Sequence, residues 1–275
     1  MTVQIVTDGA ASLPAALIRQ HDLVVVPMWL HLEGHEIRET ECELEQVVQA
    51  DDVTTSGPSP GDFETAIAPL LSDDGVLVLT IAASMSSTHQ AASLAGKALG
   101  ERVRVVDTTT AAGAEGLVVL AAARAARGGA DLDEVEAEAR RAIAQVRLVA
   151  TVPSLDHLVR SGRVPGIAGW AGRHLGINPL FEFRDGKAHR LRPALSGEAA
   201  VERILSEWRR SDTPSADLHV AALHAMAPEA AQDLLARVRA ERTPASAFVG
   251  EFNAVMVAHV GPGLTGLAWW WDAPR

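Results

Sequence analysis

Three short stretches of this chain carry residues that can hold an anion. The first is Thr54-Thr55-Ser56-Gly57-Pro58-Ser59-Pro60. Its glycine and prolines fix a loop that offers four hydroxyls just ahead of a helix containing Phe63 and Ile67. Helix capping explains part of this, because Ser59 or Gly61-Asp62 serves that purpose, but it does not call for Thr55 and Ser56. The second is Ser84-Met85-Ser86-Ser87-Thr88-His89, directly after an apolar run ending at Ile81. Hydroxyls and free backbone amides at a helix start suit a carboxylate, and capping again is the plainer alternative. The third is His259-Val260-Gly261-Pro262-Gly263. Here the sequence predicts a strand end followed by a sharp turn, with the imidazole free to donate to a carboxylate. A fourth group, Arg160, Ser161-Gly162-Arg163-Val164 and Arg173, has guanidiniums suited to carboxylate or phosphate,. A solvated surface is the plainer reading for any one of them.

Alternating strand and helix signals position these groups. Val3 to Thr7, Leu23 to Leu30, Val76 to Ile81 and Val103 to Val106 read as buried strands,. Ser12 is a candidate cap for a short helix carrying Leu17 and Ile18,. Ser86 to Leu99, Gly113 to Arg127 and Leu132 to Val146 read as further helices. A parallel sheet covered on both faces follows, with ligands expected at Thr7–Asp8, Ser84–Thr88 and Asp107–Thr110, beyond the carboxyl ends of the strands. A strand at Leu148 to Val152 precedes a change of character, so the expected boundary divides residues 1–150 from 151–275. The second part offers a strand at Leu180 to Arg184, a turn at Asp185–Gly186 and helices at Glu198 to Arg210 and Glu229 to Glu241. Further strands are expected at Leu218 to Leu223, Ala247 to Phe252 and Val255 to Val260, giving a mixed sheet.

Composition narrows the function. The chain has 275 residues, 48% of them hydrophobic, and a net charge of −11. That charge argues against a general nucleic-acid binder. Cys42 is the single cysteine, which fits a reducing compartment, and it reads as a bystander thiol,. The first residues do not read as a signal peptide, and no apolar run approaches bilayer length, so a cytoplasmic protein is expected. From His157 to Arg192 seven Lys or Arg face two acids, a local charge of +5.

Taken together, the clusters resemble the DegV family, which includes the fatty-acid-binding subunit of bacterial fatty acid kinase. Thr7-Asp8-Gly9-Ala10-Ala11-Ser12-Leu13-Pro14 is similar to the family's T-D-S-T-A-D-L-P. Thr55-Ser56-Gly57-Pro58-Ser59 is similar to T-S-Q-P-S, and Ser86-Ser87-Thr88 to S-G-T. Asp107-Thr108, Ser161-Gly162-Arg163-Val164, Ile177-Asn178-Pro179-Leu180 and His259-Val260-Gly261-Pro262-Gly263 follow in the family's order. Gly9 and Ala10 stand for Ser-Thr, Ser87 for a glycine, His89 for an aromatic and Asn178 for a lysine.

The resemblance implies a two-domain α/β fold: an N-terminal parallel α/β/α sheet and a C-terminal two-layer mixed α/β sheet, with a lipid between them. It implies that Thr55, Ser56, Ser86 and His259 hold a fatty-acid carboxylate, helped by Ser87 or Thr88. It further implies a non-catalytic carrier that presents the head group to a separate ATP-dependent kinase subunit. Arg163, Arg173 and Arg192 are the candidate contacts to head group or partner. Ile167, Trp170, Leu175 and Ile177 are candidates for the tail channel or for ordinary core. No cofactor and no metal are expected, a monomer suffices, and membrane contact would be transient. The rival readings are a serine-type acyl hydrolase using Ser86, His259 and Asp8 or Asp107, and a carrier of another small carboxylate or lipid. Ser86 is not flanked by the glycines of a G-x-S-x-G elbow,.

Overall fold

The computed structural model describes residues 2–50, 52–164 and 177–273. The chain begins with β1 (Gln4–Asp8), α1 (Ala15–Gln20), β2 (Val24–Val26), β3 (Trp29–Leu32), β4 (His35–Arg38), α2 (Leu44–Gln49), β5 (Val53–Ser56) and α3 (Pro60–Ile67). It continues through β6 (Val76–Thr80), α4 (Thr88–Leu99), β7 (Val103–Asp107), α5 (Ala112–Arg127), α6 (Leu132–Gln145), β8 (Arg147–Thr151) and α7 (Asp156–Ser161). It ends with β9 (Asn178–Arg184), β10 (Lys187–Ala194), α8 (Gly197–Arg210), β11 (Asp217–His224), α9 (Pro228–Glu241), β12 (Ser246–Glu251), α10 (Ala254–Val260) and β13 (Thr265–Asp272).

Three sheets result. A parallel sheet has the order β2-β1-β6-β7. Every residue of β6 is buried, as a central strand covered on both faces requires,. A mixed sheet has the order β10-β9-β8-β13-β11-β12, in which only β11 and β12 run parallel. A small antiparallel sheet, β4-β3-β5, stands apart. In the parallel sheet, β2 and β6 lie on opposite sides of β1, so the direction of winding reverses there. A crevice opens beyond the carboxyl ends of the strands at such a point.

The layers follow from which faces are apolar. Helices α3 and α4 bury Phe63, Ile67, Ala91 and Ala92 against Val6, Val76 and Val78 of the parallel sheet. Helices α8 and α9 bury Ile204, Leu205, Leu234 and Leu235 against Val220, Leu267 and Trp269 of the mixed sheet. Between the two sheets lies α5, with 13 of its 16 residues buried, so it must pack on both sides. It touches β1 and β6 on one side and β11 and β13 on the other, with α6 beside it. Small residues permit this approach. A Cβ at Gly113 would sit 2.8 Å from Ala221 Cβ, and one at Gly116 would sit 2.6 Å from the Ala11 carbonyl oxygen.

Several expectations change. The segment expected as a strand at Val255 to Val260 is the helix α10. Its β-branched residues suit a strand, but Asn253 Oδ1 accepts from the Met256 amide and caps a helix instead,. His259 therefore stands in the last turn of a helix, not at a strand end. Ser12 does not cap α1; it sits in the left-handed region at φ 51°, and Pro14 precedes the helix. The run Leu23 to Leu30 divides at Pro27 into β2 and β3, which belong to different sheets. Among the described residues, no helix is long and apolar enough to cross a membrane.

Replacing Gly116 by Ala should cost about 1–3 kcal/mol, because the new methyl meets backbone rather than a side chain that can move,. Denaturant titration of the variant should show a lower midpoint. An unchanged midpoint would mean that α5 is free to shift between the sheets.

Candidate functional site

The β6–α4 loop is pinned from several directions. The Ala82 amide donates to Thr110 O at 2.8 Å, and the Ala83 amide donates to both Asp107 carboxylate oxygens at 3.2 Å. From the other sheet, the β9–β10 turn reaches over. Ser84 Oγ donates to Gly186 O at 2.7 Å, and the Gly186 amide donates to Thr109 O at 2.8 Å. Within the held loop, Ser86 Oγ accepts from the Thr88 amide at 3.2 Å and lies 2.7 Å from Thr88 Oγ1. Ser86 is half-buried and Thr88 fully buried behind it.

Strand β5 brings the first hydroxyl cluster alongside. It pairs with β3 (Leu30 opposite Thr55), and the small sheet is tied to α3 by Arg38, whose Nη2 donates to Asp62 Oδ1 at 2.5 Å. Just after β5, Gly57 passes so close that a Cβ there would lie 2.6 Å from Thr88 Oγ1 and 3.2 Å from Ser86 Oγ. Any larger residue would push the two hydroxyl clusters apart.

Helix α10 supplies the histidine. His259 Nε2 lies 2.8 Å from Thr55 Oγ1, across 204 residues of sequence. Burial pushes the imidazole down to about 4, and the neighbouring Arg163 guanidinium pushes in the same direction. The ring is therefore neutral at pH 7, with one nitrogen donating and one accepting. Arg163 follows Gly162, whose left-handed φ of 59° ends α7.

These groups rim a cavity of about 50 Å³. Thr55, Ser56, Ser86, Arg163 and His259 form its polar side, while Met28, Ile81, Met85, Val255, Met256 and Val260 form its apolar wall. This volume, bounded by the described residues, is smaller than the roughly 300–1,000 Å³ of small-molecule pockets. Methionine and valine walls can yield by rotamer change, methionine most readily.

Ser56 stands at the cavity's edge, and the remaining expected residues among those described lie off it. Ser56 touches the cavity but is exposed, and its Oγ lies 3.3 Å from His31 Nε2. Ser87 is exposed at the start of α4 and makes no side-chain cap bond. Arg192 is exposed on β10, an edge strand of the mixed sheet, and does not line the cavity. Ile177 lines a separate small crevice with Leu155 and Leu191. Arg173, Ile167, Trp170 and Leu175 fall outside the described residues.

The residues of the hydrolase reading do not form a relay. Ser86 bonds Thr88, and His259 bonds Thr55. Asp8 accepts from the Ala10 and Ile81 amides, and Asp107 accepts from the Ala83 and Thr109 amides. The apolar wall on α10 escaped sequence reasoning. Val255, Met256, His259 and Val260 share a helical face, a pattern legible only once Asn253 is taken as a cap.

Comparison with known proteins agrees with this architecture. The family model described as "Uncharacterised protein, DegV family" matches residues 2–271. A DegV domain-containing protein of Mycobacterium tuberculosis is 36% identical, covering 97% of this chain and 96% of its own length. A Thermotoga maritima protein named "Fatty acid-binding protein" is 28% identical, with 97% and 96% covered. A solved structure described as fatty acid binding of a DegV family protein from Thermus thermophilus superposes with a TM-score of 0.89 at 31% identity, covering 98% of this chain and all of that one.

The depressed His259 value has a consequence for stability. The unfolded imidazole gains its proton near 6.5 and the folded one only near 4, so stability present above 6.5 is lost as the pH falls through this window,. Wild type should lose about 3 kcal/mol more than His259→Gln between pH 7 and 4, given 1.36 kcal/mol per pKa unit. Denaturation midpoints at both pH values check this. Equal losses would place His259 in solvent.

Proposed function

We propose, since the chain belongs to the DegV family, that it is a non-catalytic carrier of a long-chain fatty acid, with the carboxylate held by Thr55, Ser86 and His259. The observation that carries this reading is the meeting of those three side chains, from three distant segments, at one rim of an apolar cavity. With its Nε2–H shared between Thr55 Oγ1 and the ligand, neutral His259 can donate to a carboxylate oxygen beside the two hydroxyls, and Arg163 lies close enough to favour its negative charge,.

Magnitudes divide the labour between tail and head. A tail of ~16 carbons offers roughly 12 kcal/mol gross at ~0.8 kcal/mol per methylene. Association costs of similar order offset much of it. A hydrogen bond to a charged group adds only ~1.5–3 kcal/mol. The tail then supplies affinity, and the polar rim selects a carboxylate and fixes which end faces out. Val255, Met256, Met28 and Met85 are the wall such a tail would first meet.

The finer reading is that a separate ATP-using subunit phosphorylates the presented carboxylate. The carboxylate oxygen would attack the γ-phosphorus, ADP would leave, and an acyl phosphate would remain. Exposed Arg163 and Arg192, with Arg173, would steer that acidic partner. In this reading the protein works in the cytoplasm as a monomer.

Two experiments test these statements. Replacing Thr55 by Val, Ser86 by Ala or His259 by Gln should each weaken palmitate binding about 10- to 100-fold, while binding of hexadecanol should change little. Isothermal titration gives both affinities. Equal losses for acid and alcohol would remove the carboxylate reading. Reversing charge at Arg192, which stands off the cavity, should slow phosphorylation of bound palmitate by a fatty acid kinase subunit without weakening palmitate binding more than about threefold,. An unchanged rate would remove the steering role.

A further inference from the structure

The polar rim hangs on α10, and α10 is capped by a residue with two outside partners. Asn253 Oδ1 accepts from the Met256 amide at 2.9 Å, while its Nδ2 donates to Gly9 O at 2.8 Å and to Glu39 Oε2 at 2.7 Å. Glu39 is 6% exposed. Its carboxyl group lies flat against Gly9, where a Cβ would fall 1.7 Å from Oε1. The missing side chain at residue 9 is what admits Glu39. The Met28 backbone also bonds this carboxyl group, so Glu39 touches the structures behind two walls of the cavity, Met28 and α10.

We propose that Glu39 and Asn253 form a proton-dependent latch that seats α10, and with it His259, at the cavity. With its proton, Glu39 fits the closed slot and accepts from Asn253. Without the proton, an anion is confined beside Asp8 in a slot that water cannot fill, and burial drives it outward. Asn253 then loses one of the two acceptors that fix the start of α10.

The groups that face Glu39 support this. From β1 comes Asp8, held near 6 mainly by burial, with the amides of Ile81 and Ala10 pulling the other way. From α5 comes Glu115, fully buried and raised well above its ordinary value by burial, then by Asp8. From β4 comes Arg38, the one cation near Glu39 among these groups, and it is engaged by Asp62. Glu43 and Glu45 of α2 are exposed, and His157 of α7 packs at the far end of α10 against Gly261. Burial first, then Asp8, pushes Glu39 up to about 7. A raised carboxyl favours the folded state when protonated, so the stabilisation is complete below 4.5 and lost as the pH rises through 7,. His259, held near 4, does not titrate in the upper part of this window.

The consequence for ligand binding rests on the carboxylate reading, but the latch does not, so it is tested without ligand. Amide hydrogen exchange at Met256 and Val257 is measured in the free protein at pH 5 and 8, corrected for the intrinsic rate. Wild type should lose about tenfold more protection over this range than Glu39→Gln, the equivalent of about one pKa unit of linkage. Gly9→Ala, which displaces the flexible end of Glu39 rather than backbone, should lower protection at pH 5 by a similar factor of about ten. Parallel profiles for wild type and Glu39→Gln, or full protection in Gly9→Ala, would overturn the latch. Failure of the palmitate assays above with these profiles intact would instead refute the carboxylate reading alone.

Discussion

The hydrogen bond between Thr55 and His259 is the contact on which the rest of the site depends. It joins a strand of the small sheet to the last turn of α10, and both elements stand at the carboxyl end of the parallel sheet. Neither element belongs to that sheet. Each is held there by something else: β5 by its pairing with β3 and the Arg38–Asp62 link, α10 by Asn253 and the buried carboxyl of Glu39. The third participant, Ser86, is fixed by the β6–α4 loop and by the β9–β10 turn that crosses from the mixed sheet. Three independently anchored pieces therefore meet, and the precision of the rim comes from their anchors.

Electrostatics separates the site into two zones. The rim holds a neutral imidazole with a guanidinium outside it, so it favours an anion without carrying one. Behind it, Asp8, Glu39 and Glu115 are buried together and their carboxyls are pushed upward, which keeps negative charge out of the interior at mildly acidic pH. A polar rim over an uncharged, apolar wall suits a molecule with one charged end. It does not suit a small dianion, which would leave the wall dry and unpaired.

Part of this was legible in the sequence. The alternation of apolar runs and helices gives the parallel sheet, and the rule for strand carboxyl ends points to Ser84–Thr88 and Asp107–Thr110. The family's T-S, S-x-T and H-x-G-P-G motifs give the residues that gather at the cavity. Direction was not legible: nothing in the letters tells that Ser87 faces solvent or that Ser56 turns toward His31. Val255, Val257 and Val260 give the α10 segment the composition of a strand, and the helix depends on the Asn253 cap, whose role shows only in the folded chain. The contact of Gly9 with Glu39 and Asn253 joins three segments that no local pattern links. The small sheet leaves little trace in the sequence, because its strands are four residues each and carry His31, Glu36 and Arg38, which obscure the alternation.

The most direct test is a crystal structure of the palmitate complex. The account places the carboxylate oxygens within about 3.2 Å of Thr55 Oγ1, Ser86 Oγ and His259 Nε2, with the tail leaving past Val255 and Met256. A carboxylate bound away from these three groups, or a tail lying on the surface with the cavity closed, would contradict it.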